Sequence, residues 1–287
     1  MINNPDFSST VPEQDEKTQA AAALPVEKKP RKLKDFGEGS PKVRNIMMVG
    51  SVIGGLLVWF LLSRHPIIGI IMAGPDDVIS RALQEEWSSG RLQSNILYSI
   101  WRVIAGWILA FLAAVPTAFM MGWYNKFKNI VDPWIQFMRT IPPIALIPLV
   151  ILFMGIGEQA KLTVIFVAAF LVMVVTIYQG VRSIDLTLVK AAYTFGASDF
   201  DIFFRVIVPA SFPFILVASR LGISTGLTTL IAAEMTGTIF GLGNMIQEAQ
   251  LYFRMDRVML GIICIGIIGF ILDRVILLLE KKLTRWQ

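Results

Sequence analysis

Charge is what this sequence has least of. Only 16% of its 287 residues are Asp, Glu, Lys or Arg, against 55% hydrophobic residues; a soluble domain carries about a quarter charged residues. There is one cysteine, Cys264, so no disulfide forms within the chain and nothing about redox compartment can be read from it. There is one histidine, His65, which excludes a zinc site built from several histidines, and no metal site is expected. No G-x-x-x-x-G-K-[ST] loop occurs, so the chain does not bind ATP by that route. No cluster of His, Asp or Cys falls inside an apolar run, which argues against a membrane-embedded enzyme, and no internal repeat is visible.

What is present is long apolar runs rather than amphipathic spacing, the pattern of spanning helices. Six are expected, over residues 46–62, 96–123, 134–154, 162–178, 212–235 and 258–279, each close to the roughly 20 residues that a bilayer core requires. A mixed stretch separates the first two: Ile67–Met72 is apolar, and Pro75-Asp76-Asp77 opens a short surface helix through Glu86. Residues 1–43 are rich in Ser, Pro, Gln, Glu, Lys and Ala and read as a disordered tail, with residues 44–287 forming the membrane domain. No apolar core with a cleavage site precedes Lys28, so a secretory signal peptide is not expected. Seven Lys or Arg lie between Lys28 and Arg44 against Asp35 and Glu38. This basic flank favours a cytoplasmic N-terminus and suits anionic lipid.

Six spans put both termini on one side. Lys126, Lys128, Arg182, Lys190, Arg205, Lys281, Lys282 and Arg285 then join the basic flank in the cytoplasm. The opposite loops, 63–95, 155–161 and 238–257, balance their arginines with Asp76, Asp77, Glu85, Glu86, Glu158, Glu248 and Asp256. The basic excess is therefore inside, as the rule demands. The same topology makes residues 181–211 a cytoplasmic loop. Within it, Lys190-Ala191-Ala192-Tyr193-Thr194-Phe195-Gly196 reads as a short helix with a glycine break. An amphipathic stretch carrying Ala197, Asp199, Phe200, Phe203 and Phe204 follows, and Pro209 is expected to stop it.

That loop resembles the EAA loop of ABC importer permeases. Arg139-Thr140-Ile141-Pro142-Pro143-Ile144-Ala145-Leu146-Ile147-Pro148-Leu149, running on to Gly155-Ile156-Gly157, is similar to the third-helix pattern of the nitrate, sulfonate, taurine and bicarbonate permeases. So are Ser99 to Gly106 with Arg102, and Ala232-Ala233-Glu234 leading into Gly241-Leu242-Gly243. The resemblance covers roughly residues 65–285. It departs at Lys190, where the family usually has Glu, so any ion pair made by that Glu is absent or reversed.

The resemblance implies an all-α membrane protein with six transmembrane helices, the type I importer permease fold and both termini cytoplasmic. It implies no catalytic residues and no cofactor on this chain, with ATP and Mg held by a separate ATPase in two copies. That ATPase would dock on Lys190, Ala191, Ala192, Gly196, Ala197, Asp199, Phe200, Phe203 and Pro209. The other implied partners are a second permease subunit, one gene of this type implying a homodimer, an extracytoplasmic binding protein and membrane lipid, with no nucleic acid. Location in the bacterial inner membrane and import of a small anion follow from the same likeness. Relatives in this branch also resemble carriers of vitamin precursors and aromatic acids, and that alternative stays open.

Ionisable and hydroxyl groups within spans are the candidates for the solute path. Arg102 and Glu234 fall near the outer ends of their spans, where they either pair or guide a solute. Arg139 and Arg220 share the inner leaflet, where they either snorkel to the interface or attract an anion. Ser224, Thr225, Thr228 and Thr229 form two adjoining stripes that serve close helix packing, a path lining, or both. Pro142, Pro143 and Pro148 should bend or break the third span. An ion-driven secondary carrier would predict mid-membrane carboxylates and paired repeats; Glu234 and Asp273 are the only span carboxylates on offer.

Overall fold

The computed structural model describes residues 41–283. The expected tail up to residue 40, and Arg285 and Trp286 at the other end, lie outside the described residues. The residues up to Gly55 and those from Leu56 onward form separate units. Every regular element among the described residues is helical. Five helices are long and apolar enough to cross a membrane, and a sixth crossing exists if one sharply bent pair counts as a single span.

The first helix, α1, is Pro41–Ser63. A helix over residues 75–88 follows, opened by Pro75 and widened into a π turn at Val78–Leu83. The long helices of the bundle are α2 (Arg91–Trp123), α5 (Glu158–Arg182), α7 (Val208–Glu234) and α9 (Met255–Leu283). Between them lie α3 (Asn125–Thr140), α4 (Ile147–Met154), α6 (Leu186–Thr194) and α8 (Leu242–Leu251). Helix α5 sits between α2 and α7 and packs extensively on both. The reason is legible in side-chain size: Ala110, Ala114 and Ala118 recur every fourth residue on α2, and α5 presents Ala168 and Ala169, all buried. Small residues on facing stripes let helix backbones approach closely, the main source of helix association in lipid.

The third expected span, 134–154, is not one helix. Amphipathic α3 begins at Asn125 and ends at Thr140; a 3₁₀ turn over Pro143–Leu146 then leads into α4, at a bend of 92°. Adjacent Pro142 and Pro143 remove two backbone donors and clash with the preceding turn, so the helix breaks where the prolines stand. On α3, Ile135 is buried, flanked by Val131 and Met138 against the core, while Trp134, Phe137 and Arg139 are exposed.

Pro209 does not stop its helix. One helical run extends from Asp199 to Glu234, with a π turn at Phe203–Ile207 immediately before the proline and the Val208 N–H donating to the Phe203 carbonyl. Pro209 has no N–H to give the turn before it, and the widened turn absorbs that loss.

Candidate functional site: coupling surface and buried ion-pair hub

Two constellations stand at opposite ends of α2, α5 and α7. The first is residues 183–207. Asp185 caps α6, its carboxylate accepting from the Thr187 N–H at 2.8 Å, and that bond holds the Asp185 carboxyl below its ordinary range. The helix ends in a Schellman turn: the Ala197 N–H reaches the Ala192 carbonyl at 3.1 Å and the Gly196 N–H the Tyr193 carbonyl at 2.9 Å. Gly196 has φ +78°, and a Cβ there would meet open space. Glycine is needed for its left-handed backbone, not for room. Ser198 then starts the next turn by accepting from the Asp201 N–H at 3.2 Å and donating to the Asp201 carboxylate at 2.6 Å. The Tyr193 hydroxyl donates to Asp199 at 2.6 Å, which ties the two short helices together and raises the phenol's pKa.

The sequence treats Phe200, Phe203 and Phe204 alike; the structure separates them. Phe203 turns inward, edge-on to Phe119 and Trp123 of α2 at 5.7 and 5.4 Å between ring centres. Phe200 and Phe204 stay exposed, as do Phe195, Leu186 and Leu188. Lys190, Ala191, Gly196 and Asp199 share the exposed surface, whereas Ala192 and Ala197 are half-buried against the core. Beside this surface runs an apolar groove of about 750 Å³, walled by Pro116, Phe119, Met120 and Trp123 on α2 and by Phe200, Phe203 and Phe204.

The second constellation is a buried hub around Arg102 on α2. Its Nε and Nη2 donate to the two oxygens of Glu158, both at 2.7 Å. Its Nη1 donates to Glu234 Oε1 and to the Phe240 carbonyl, again at 2.7 Å. Glu234 also accepts from the Ser99 hydroxyl at 2.8 Å and from the Gly243 N–H at 2.9 Å. Ser99 Oγ accepts from the Leu242 N–H, and Asn95 Oδ1 from the Gly241 N–H. At the start of α8 the Gly243 N–H therefore meets the Glu234 carboxylate directly and the Leu242 N–H reaches it through Ser99, a negative charge being the sign that a helix N-terminus favours. At Gly241, with φ +146°, a Cβ would stand 2.5 Å from the Glu234 carboxyl carbon, so no side chain fits. Lys161 closes the set at 3.1 Å from Glu158. Two positive and two negative groups leave no net charge.

The path candidates sort by exposure. Arg102 and Glu234 are 2% and 0% exposed, paired inside one chain and facing no open surface. Arg220 pairs with Asp273 on α9 at 2.9 Å and lies 3.9 Å from Glu280, so its charge does not stand free. Thr229 is buried. Arg139 is exposed and makes no ion pair among the described residues. Ser224 and Thr228 are exposed and Thr225 half-exposed on α7. The Thr225, Thr228 and Thr229 hydroxyls each donate to the carbonyl four residues back. Sequence reasoning missed Glu158, Lys161 and Asn95 as hub members. The signal available was the run Gly155-Ile156-Gly157-Glu158, a carboxylate directly after a flexible elbow.

With this geometry in view, the comparisons with known proteins are direct. Residues 106–285 match the profile described as "Binding-protein-dependent transport system inner membrane component". A probable ABC transporter permease protein of Brucella abortus (strain 2308) is 43% identical over 85% of this chain and 95% of its own length. The taurine transport system permease protein TauC of Escherichia coli (strain K12) is 31% identical over 84% of this chain and 90% of its own length. Among solved structures, the inward-facing MetNI methionine ABC transporter superposes with a TM-score of 0.54 at 19% identity, covering 67% of this chain and 98% of that one. The fold is that of an ABC importer's membrane subunit, and the chain belongs to the family of binding-protein-dependent transport system inner membrane components.

Proposed function

We propose that two copies of this chain line the import path of a small anionic solute, driven by two copies of an ATPase docked on residues 183–207. The observation that carries the reading is the coupling surface. Two short helices joined by the Gly196 turn hold Phe195, Phe200 and Phe204 outward, at the end of the bundle remote from the Arg102 hub. An amphipathic face of this kind fits a groove on a partner. Phe203, locked on α2, would pass the partner's movement to the bundle. ATP and Mg would belong to that partner, and rigid-body motion would alternate access to the path.

The solute class is supported by charge. Arg220 and Arg102 are neutralised by carboxylates, whereas Arg139, beside the proline break, is exposed and makes no ion pair among the described residues. The exposed Ser224, Thr225 and Thr228 add hydroxyls that hydrogen-bond an oxyanion. Similarity to a taurine permease agrees with that class. An extracytoplasmic binding protein would deliver the solute on the side of the hub.

The test is uptake into proteoliposomes holding permease, ATPase and binding protein, with taurine, an alkanesulfonate, nitrate, bicarbonate, a vitamin precursor and an aromatic acid as probes. Uptake of one of the first four, lowered about tenfold or more by Arg139→Gln, is expected. Uptake of only the last two, or uptake by the permease without ATPase, overturns the reading.

A further inference from the structure

A cavity of about 270 Å³ lies between α8 and the starts of α2 and α9. It is separate from the Arg102 hub but shares a wall with it. Phe240 lines the cavity while its carbonyl accepts from Arg102 Nη1, and Asn95 lines it while its Oδ1 accepts from the Gly241 N–H. A single water fits in a far smaller void, of about 10–15 Å³, so this space takes a molecule. Pockets for drug-sized ligands run from about 300 to 1,000 Å³, which limits the occupant to about the size of an amino acid.

The polar groups of this cavity are built into the fold. Glu86 is 2% exposed and Asn95 7%. The Glu86 carboxylate makes one ion pair, to Arg257 Nε at 2.9 Å, and accepts no hydrogen bond among the described residues. Arg257 Nε is itself buried without a hydrogen bond. With Asn95 Oδ1 engaged by Gly241, the Asn95 amide N–H groups have no acceptor among the described residues. Buried polar groups are ordinarily satisfied, so an acceptor and two donors left open around one space point to a ligand. A more exposed pair, Arg91 and Glu248, stands 3.6 Å apart on the same walls. The two guanidinium groups and two carboxylates cancel. A bare anion or cation would add one uncompensated charge to that space, which is costly, whereas a molecule carrying one charge of each sign would not. Buried Met245 and Ala249 supply an apolar wall between the charges.

We infer that this cavity is a binding site for a small zwitterion. Its ammonium lies on Glu86, its acid group takes the Asn95 amide and the flanking guanidinium groups, and a short carbon stem runs along Met245. The recognising groups are already held, Asn95 by Gly241 and Arg257 by Glu85 and Glu86, so little ordering is left to do on binding. An occupant touches α2, α8 and α9 at once and braces α8 where the hub already grips its N-terminus.

The experiment is equilibrium binding of labelled taurine and of labelled β-alanine to the full-length permease in lipid nanodiscs. At least one should bind saturably. Ethanesulfonate and ethylamine, each lacking one of the two charges, should compete about tenfold less well or worse, and Glu86→Gln should weaken binding about tenfold or more, the worth of a hydrogen bond to a charged group. Arg91→Gln, at an exposed position where substitution leaves the fold intact, should weaken binding in the same direction. No binding of either zwitterion, equal competition by the singly charged probes, or unchanged affinity in both variants overturns the site. Binding lost in Arg139→Gln but kept in both cavity variants also overturns it, and places the zwitterion on the proposed path instead. The assay needs neither ATPase nor binding protein, so its failure leaves the import reading standing. Proteoliposomes holding the whole importer then separate two sources of the same chemistry, each consistent with the site: a zwitterion that is cargo accumulates inside with ATP, and one that is an effector changes ATP hydrolysis without accumulating.

Discussion

Arg102→Met is the sharpest probe of the buried hub. It leaves Glu234, wholly buried, without its one cationic partner, while Ser99 and Gly243 still donate to it. Glu158 suffers less, being 51% exposed and keeping Lys161 at 3.1 Å. Removing one member of a buried pair costs about 3–5 kcal/mol, and the donors left behind place this case near the lower end. About 3 kcal/mol in a chain of this size corresponds to a fall of about 6–12 °C in melting temperature, measured by thermal unfolding of the purified permease in detergent. Adding Glu234→Gln removes the orphaned charge, so the double variant should be more stable than Arg102→Met alone, with a coupling of about 1–3 kcal/mol. A loss within the roughly 0.5 kcal/mol of an ordinary surface change, or strict additivity of the two substitutions, would refute the claim that this pair is dry and mutually dependent.

Three further outcomes follow from the coupling surface. Gly196→Val meets no clash but forces a branched residue into the left-handed region at about 1–2 kcal/mol; the permease should stay folded in detergent while solute-stimulated ATP hydrolysis by the assembled importer is lost. Phe203→Ala should lower permease stability by about 3 kcal/mol, the low end for a packed aromatic, whereas Phe200→Ala should change stability by less than about 0.5 kcal/mol and instead reduce co-purification of the ATPase. Asp185 has a lowered carboxyl pKa because Thr187 donates to it. Its contribution to α6 is therefore present above the unfolded carboxylate value of about 3.9 and is lost as pH falls through its lower folded value. Amide exchange in α6 should speed up on acidification, and Asp185→Asn, which caps without titrating, should abolish that dependence.

Much of the architecture was legible because lipid imposes it. The apolar runs announced their helices, and the adjacent prolines 142 and 143 announced a break. Helix ends were less legible. The run expected from residue 162 starts at Glu158, since Glu158 and Lys161 are neutralised by partners and can continue the helix. The expected stop at Pro209 failed because a widened turn upstream absorbs the missing donor. At the sites, depth alone brought Arg102 and Glu234 together as a possible pair, but nothing local marked Glu158 as the third member.

Composition and spacing were enough to mark a helical membrane protein, its approximate spans and the polar loop over residues 181–211, because each depends on a property that a segment carries alone. Which charge neutralises which, and which aromatic faces out, depends on how each helix is rotated against its neighbours. The hub joins residues 132 and 135 apart in the chain and Arg220 finds its carboxylate 53 residues away. The hub pairings are set by small side chains letting α2, α5 and α7 approach closely, and the Arg220 pair by the packing of α7 on α9, contacts that exist only after the chain has folded.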